Sequence, residues 1–259
     1  MSSRLQGQVI LNTRPQHQQA ELTALLEQSG ARVLSFPVIE IVLTGKPDLR
    51  QHLARQIPRT DILLFVSRNA VDGAFRVLDV TQLTTSRSYG VIGTATRRAL
   101  AERVTNLDRC LVAGEPYNSE ALLDADALQQ VAGKRIMIFR GQQGRNLLGE
   151  ELVARGAKVS YCEVYQRKLP TPDPFIFNRL VADSFPTLAI LTSNEGMHNL
   201  FELVDGAAAE RLRQIPWLLI SERMRESALK LGHNATIVVA RNASDEGIQQ
   251  SVCDWADQG

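Results

Sequence analysis

Residues 10–40 read ILNTRPQHQQAELTALLEQSGARVLSFPVIE, and residues 136–166 read IMIFRGQQGRNLLGEELVARGAKVSYCEVYQ. The second stretch lies over the first without a gap, each residue meeting the one 126 positions further on. Nine of the 31 positions are identical: Ile10/Ile136, Arg14/Arg140, Gln16/Gln142, Leu22/Leu148, Leu26/Leu152, Gly30/Gly156, Ala31/Ala157, Val33/Val159 and Val38/Val164. Chance at ordinary composition gives about two. The same offset carries residues 61–78 onto 187–204 and sets Ser67 on Ser193 and Phe75 on Phe201. A unit of that length exceeds the roughly 20–50 residues of a solenoid repeat and matches one domain. Two similar domains are expected to leave a cleft between them, the usual place for a ligand.

Working outward, short apolar runs alternate with amphipathic stretches. The run at 9–12 reads as a buried strand, followed by a helix over 17–28 with Ala20, Leu22, Leu25 and Leu26 inward, a stop at Gly30 and a strand at 32–35. The module recurs as a strand at 135–139, a helix over 146–155, Gly156 and a strand at 158–161. Three βα units then follow in each repeat, with strands at 62–66, 89–92 and 110–112 in the first and at 188–191, 218–220 and 236–239 in the second. Strands alternating with helices predict parallel sheets covered on both faces, with ligands held beyond the carboxyl ends of the strands. The stretches 36–41 and 162–167 are extended, with Pro37 stiffening an edge strand, and Pro170–Pro174 is the clearest linker. Two organisations fit: consecutive domains at about 1–130 and 131–259, or a crossover in which the opening module of each repeat completes the sheet of the other.

Charge is nearly balanced, 29 basic against 28 acidic residues, so bulk electrostatics favour neither nucleic acid nor a membrane surface as partner. The basic side is 24 Arg and 5 Lys, a bias toward the forked donor that suits carboxylates. Cys110, Cys162 and Cys253 are odd in number and far apart, which predicts a reducing, cytoplasmic setting without disulfides. His17, His52, His198 and His233 show no ligand spacing, so no metal is expected. Apolar runs are strand-length, well short of the ~20 residues that span a bilayer.

In βα units the working residues sit where a strand ends and a helix begins, because the free N–H groups there attract anions. Those turns read Thr13-Arg14-Pro15, Ser67-Arg68-Asn69, Gly93-Thr94-Ala95-Thr96 and Asn118-Ser119 in the first repeat. In the second they read Arg140-Gly141, Thr192-Ser193-Asn194, Ser221-Glu222-Arg223 and Ala243-Ser244-Asp245. Ordinary N-capping explains any one of them; eight together make an acceptor-binding surface. No dinucleotide or P-loop glycine pattern, nucleophile elbow or zinc-protease motif is present. An enzyme of this composition is expected to work without a cofactor, by positioning and hydrogen bonding. Tyr165, at the expected junction, is placed to donate a proton, or to serve as a strand aromatic.

The ordered set ILNTRP (10–15), GARV (30–33) with FPVIE (36–40), FVSRNAV (65–71), VIGTATRRAL (91–100), Arg140-Gly141, GAKV (156–159), VYQR (164–167), LTSN (191–194) and ISER (220–223) resembles the uroporphyrinogen-III synthase family. The resemblance covers nearly the whole chain. It implies an α/β fold of two similar lobes, each a parallel sheet flanked by helices, joined by a two-stranded linker. The lobes would be 1–35 plus 170–259 and 43–160, with linker strands 36–42 and 161–169, which favours the crossover organisation. The implied reaction closes the linear tetrapyrrole hydroxymethylbilane to uroporphyrinogen III, with loss of water and inversion of ring D through a spiro intermediate. No metal or organic cofactor is implied, and the eight carboxylates of the substrate would give the Arg excess a purpose. Tyr165 and then Thr96 are the implied catalytic residues. Thr13, Arg14, Ser67, Gly93, Ser119, Arg140, Ser193, Asn194, Ser221 and Arg223 would bind substrate. A monomer in transient contact with the enzyme that supplies hydroxymethylbilane is expected. Two departures stand out: Arg97 replaces the small residue that follows the family's Thr, and Ser221 and Met224 stand where the pattern has Gly and Thr.

Two other functions compete. A non-catalytic two-lobed binding module would bind a small molecule without turnover. A two-domain glycosyltransferase would bind a nucleotide-sugar, for which a longer chain and a recognisable nucleotide site are expected.

Overall fold

The computed structural model describes residues 3–44, 47–78, 81, 83, 88–171 and 173–258. In chain order the strands are β1 (Val9–Asn12), β2 (Arg32–Ser35), β3 (Glu40–Leu43), β4 (Ile62–Phe65), β5 (Ser88–Val91) and β6 (Cys110–Val112). They continue as β7 (Arg135–Gly141), β8 (Lys158–Lys168), β9 (Leu188–Leu191), β10 (Trp217–Leu219) and β11 (Ile237–Val239). Helices α1 (Ala20–Gln28), α2 (Pro47–Gln56), α3 (Arg68–Val77), α4 (Thr94–Ala101), α5 (Ser119–Leu123) and α6 (Asp126–Gln129) lie in the first half. The second half carries α7 (Leu147–Ala154), α8 (Pro174–Leu180), α9 (Asn194–Leu203), α10 (Gly206–Arg213), α11 (Glu222–Lys230) and α12 (Asp245–Ala256).

The chain divides into two compact units, Met1–Glu40 with Lys168–Gly259, and Ile41–Arg167. The first holds a sheet in the order β11-β10-β9-β1-β2, the second a sheet in the order β3-β8-β7-β4-β5-β6. The opening module of each repeat thus completes the sheet begun by the other. In the first unit β1 pairs in parallel with β2 and β9, and β10 with β9 and β11. In the second, the pairs β4–β5, β4–β7, β5–β6 and β7–β8 are all parallel.

Both faces of the second unit's sheet are covered, which is why its central strands are apolar throughout. Along β4, Leu63 and Phe65 face one cluster with Val71, Ala74, Met137 and Phe139, while Ile62 and Leu64 face another with Leu122, Ile136, Ile138 and Leu152. The period of two along each strand assigns the faces. In the first unit Ile10, Leu188, Ile190 and Leu218 pack under Leu22, Leu26, Ile248 and Val252 of α1 and α12.

Several boundaries differ from expectation. β8 runs unbroken from Lys158 to Lys168, so the strand at 158–161 and the expected linker stretch are one element. β2 ends at Ser35 and β3 begins at Glu40; Pro37 lies in neither and stiffens no edge strand. The Pro-rich stretch gives way to α8 at Pro174, whose N-cap Asp173 accepts from Phe175 N–H at 2.9 Å. Pro at the first helical position is favoured because its missing N–H would have had no partner there.

The repeat solves one packing problem in two ways. Val164 and Val38 are equivalent, and so are Gly73 and Asn199. The Val164 carbonyl lies so close to α3 that a Cβ at Gly73 would sit 2.6 Å from it, and that oxygen accepts from Thr44 N–H at 2.8 Å. In the other copy the Val38 carbonyl accepts from Asn199 Nδ2 at 2.8 Å. A buried carbonyl needs a donor, supplied once by backbone and once by a side chain.

His233 is buried at 3% exposure and stacks on Trp217 with ring centroids 4.1 Å apart. Its Nδ1 has no partner among the described residues. Desolvation lowers its pKa below the usual 6.5, against weaker raising effects from the Thr236 and Ala235 backbone. A depressed folded-state pKa means the unfolded chain binds the proton more readily. The stability His233 contributes is therefore complete above about pH 6.5 and lost as pH falls through the lower folded value. His233→Phe, which keeps the stack, is expected to flatten the loss of stability between pH 7.5 and 5.5, read as urea midpoints. Equal losses in both proteins would assign the acid sensitivity elsewhere.

Candidate functional site

The second unit brings together Tyr165, Ser67 and Gly141 at the carboxyl ends of β8, β4 and β7. Their meeting depends on a β-bulge. Along the β7–β8 ladder Phe139 pairs with Cys162 and Arg140 with Glu163, but Gly141 pairs with Tyr165, so Val164 is the extra residue. Without the shift, Val164 and Tyr165 would point to opposite faces. With it, both join the cluster beneath α3. Bulges re-aim side chains in this way beside functional sites.

Tyr165 is 4% exposed, and its hydroxyl lies 3.2 Å from Ser67 Oγ. Ser67 is the N-cap of α3, and its Oγ accepts from Ala70 N–H at 3.2 Å. The phenol therefore sits at the positive end of a helix. Gly141 makes room for the ring: a Cβ there would stand 2.6 Å from Tyr165 Cε2 and 2.7 Å from Cζ. Gln142 N–H donates to the Tyr165 carbonyl at 2.9 Å and holds the bulged strand in place. Nearby in the ladder, burial drives the Cys162 thiol up to about 12, so it stays protonated.

Gly93 caps α4 with φ 82° and offers no side-chain bond to the helix's first N–H groups, which leaves them for an acceptor. Thr96 is buried and donates its hydroxyl to Ile92 O at 2.6 Å. That bond to the preceding turn gives the hydroxyl a structural use. At α5 the cap is Asn118, whose Oδ1 accepts from Ala121 N–H at 2.8 Å, while Ser119 is buried behind it. Tyr117, exposed and at φ 53°, lies against Gly93; nothing in its sequence context marked it.

In the first unit Ser193 caps α9, its Oγ accepting from Gly196 N–H at 2.9 Å. It is the repeat equivalent of Ser67, but Ile39 stands where the other copy has Tyr165. Next to it, the buried Oδ1 of Asn194 has no partner among the described residues. Ser221 occupies the N-cap of α11 without a side-chain capping bond, and Arg223 is exposed in the first turn.

Three of the side chains expected to bind substrate have partners within the protein. Thr13 is buried and donates to Ile190 O at 2.7 Å, tying β1 to β9. Arg14 forms an ion pair with Asp245 at the start of α12. Arg140, 12% exposed, pairs with Glu163 Oε1 at 3.1 Å, donates to Asn146 Oδ1 at 2.8 Å and lies 3.9 Å over the Tyr161 ring. Each of these largely buried guanidinium groups is matched to a carboxylate that offsets its charge. Arg140 thus ties together its own βαβ module, whereas Arg14 ties its module to α12 of the other repeat.

Among the described residues no group of three or more His, Cys, Asp or Glu side chains is placed to hold a metal ion. No described helix is long and apolar enough to cross a membrane. The three cysteines are free thiols. Taken together, the geometry offers one buried phenol beside a helix N-terminus and further strand-to-helix turns that present hydroxyl, amide and backbone N–H donors.

A family model described as uroporphyrinogen-III synthase HemD matches residues 20–250. A uroporphyrinogen-III synthase of Salmonella typhimurium is 35% identical over 94% of this chain and 99% of its own length. The corresponding protein of Escherichia coli is 33% identical over the same shares. Among solved structures, a mutant uroporphyrinogen III synthase of Thermus thermophilus covers 97% of this chain and 99% of its own at TM-score 0.62 and 19% identity. A uroporphyrinogen-III synthetase of Helicobacter pylori covers 96% and 99% at TM-score 0.62 and 13% identity. At those identities the structural likeness speaks for the fold.

Proposed function

The chain belongs to the uroporphyrinogen-III synthase family, and on that premise we propose how its own residues close hydroxymethylbilane to uroporphyrinogen III. The observation that carries the reading is similarity along the whole chain to relatives bearing that name. The chemistry is a cyclisation with loss of water. The C–O bond of the hydroxymethyl group breaks as its oxygen takes a proton and departs as water, leaving a protonated azafulvene (an azafulvenium cation). The pyrrole at the far end attacks at its substituted carbon to give the spiro intermediate. Fragmentation and reclosure then join ring D in the inverted sense, and the ring regains its aromaticity by losing the proton that balances the first one.

Tyr165 is the residue we place at the departing hydroxyl. Its phenol gives up a proton as the C–O bond breaks and recovers one at the end, the positive end of α3 favouring the transient phenolate. Holding the chain so that spiro attack beats simple closure is catalysis by orientation. Gly93, Ser119, Ser193, Asn194 and Ser221, with the N–H groups of the helices they begin, are our candidates for the acetate and propionate arms, and Arg223 for a charge pair. Arg14, Arg140 and Thr13 stand outside that set because the protein uses their side chains.

Thr96 separates two roles. A catalytic hydroxyl and a structural bond to Ile92 O predict different behaviour for Thr96→Val, which keeps the shape. We expect a stability loss of about 1 kcal/mol and turnover within about twofold of wild type per folded molecule; a loss of tenfold or more would restore a direct role. We also place the protein in the cytoplasm, as a monomer that meets the enzyme supplying hydroxymethylbilane transiently; its free cysteines support a reducing setting.

The test is an isomer assay. Hydroxymethylbilane generated in situ is incubated with the protein, and the oxidised porphyrins are separated. Unaided closure gives the I isomer. Predominantly III isomer is expected; only I isomer from folded protein would favour a non-catalytic binding module.

A further inference from the structure

We propose that Ser67 is a positioning residue that acts through Tyr165, donating its hydroxyl proton to the phenol oxygen while the phenol keeps its own proton for the substrate; this rests on the function proposed above. A serine hydroxyl has one proton and two lone pairs. One lone pair is engaged by Ala70 N–H at 3.2 Å, which fixes Ser67 at the mouth of α3. The neighbour that remains for the hydroxyl is Tyr165 Oη, at 3.2 Å. The bond can run either way. If Tyr165 donated to Ser67, its proton would be turned away from any reacting group. If Ser67 donates, the phenol proton is free and the oxygen that will carry negative charge already faces a donor.

The second arrangement also strengthens as the reaction proceeds. At 3.2 Å the contact is longer than the 2.7–2.8 Å typical of hydroxyl pairs, as an uncharged acceptor allows. Transfer of the phenol proton turns that acceptor into an anion, and hydrogen bonds to anions are shorter and about twice as strong. Ser67 would therefore stabilise the transition state more than the ground state, the condition for raising turnover. The helix adds to the effect, since Ala70 N–H polarises the serine hydroxyl toward better donation.

The repeat provides an internal comparison. Ser193 caps α9 as Ser67 caps α3, so capping alone accounts for a serine at both positions. Only the second unit places a phenol against it, with Ile39 at the equivalent of Tyr165. The extra partner at Ser67, together with the bulge and Gly141 that deliver it, marks a role beyond the cap.

The experiment is a set of variants of the full chain assayed for III-isomer formation from hydroxymethylbilane, with thermal unfolding measured on each. Ser67→Ala is expected to lower kcat about tenfold, equivalent to about 1.4 kcal/mol, with KM within about twofold. Ser67→Thr, which keeps the hydroxyl, is expected to recover most of that loss. Ser67→Asp caps a helix as well as serine does but has no proton to give. It should match wild type in unfolding midpoint and Ser67→Ala in turnover, and it decides the matter if Ser67→Ala folds poorly. In a Tyr165→Phe background, Ser67→Ala should cost less than about twofold, since the group it acts through is gone. A full tenfold loss in that background would show Ser67 acting on substrate directly and overturn the proposal. So would Ser67→Asp turning over like wild type, which would leave Ser67 only its capping role. A wild-type protein yielding only I isomer would remove the premise itself, an outcome visible before any variant is compared.

Discussion

Tyr165→Phe is expected to slow III-isomer formation about a hundredfold while the protein stays folded. General acid assistance is worth ~10²–10⁴ in rate, and the lower end applies here because the linear substrate loses its hydroxyl and closes without any enzyme. Stability should change by no more than about 1 kcal/mol, the worth of one hydrogen bond, since the phenyl ring still fills the slot beside Gly141. The informative measurement is a single turnover with enzyme in excess, so that all substrate is bound. The slow product should still be mainly III isomer, because orientation and acid assistance are separate contributions. Rates equal to wild type would reduce Tyr165 to a packing residue. A normal rate with I isomer as product would give it a part in holding the chain and none in ionising it.

The bulge that aims Tyr165 is where the sequence ceases to be readable. Apolar runs of strand length at 62–66 and 188–191, and the serines that follow them, disclose strands, helices and caps, because burial and capping are local requirements. Ser67 and Ser193 are legible for that reason. Which way Tyr165 points is not local. It turns on one extra residue, Val164, in a ladder whose partner strand lies more than twenty residues earlier, and a shift of one residue reverses every side chain beyond it. Gly141 shows the same limit, reading only as part of one of eight strand-to-helix turns until the ring packed against it is seen. Arg14 and Arg140 are ambiguous for a related reason. Their repetition marks them as functional or structural without distinguishing the two, and the deciding carboxylates, Asp245 and Glu163, are far along the chain or in the neighbouring strand. Helices α2 and α10 give little periodic signal because their sequences are largely polar and small, with a narrow buried side such as Leu53 or Leu212.

Gly141→Ala is expected to cost about a hundredfold in turnover through a single methyl group. The added Cβ would lie 2.6 Å and 2.7 Å from two carbon atoms of the Tyr165 ring, well inside the ~3.5 Å at which carbon atoms rest. The strand cannot move aside freely, since Gln142 N–H is bonded to the Tyr165 carbonyl and Gly141 is paired with Tyr165 in the ladder. The ring must therefore turn away from Ser67 or force β7 and β8 apart. Overpacking of this kind destabilises by about 1–3 kcal/mol, and a displacement of about 1 Å in a reacting group costs ~10² in rate. Gly206→Ala is the control, because a Cβ there meets nothing within 4 Å, and it should leave turnover unchanged. Loss of stability without loss of turnover in Gly141→Ala would mean the ring's position is immaterial to the chemistry. Placing Gly141→Ala on Tyr165→Phe separates the remaining cases. With the hydroxyl already gone, moving the ring should slow the reaction little further. A second hundredfold loss would instead show that the bulge shapes the site for the substrate directly, with Tyr165 as one of several side chains it places.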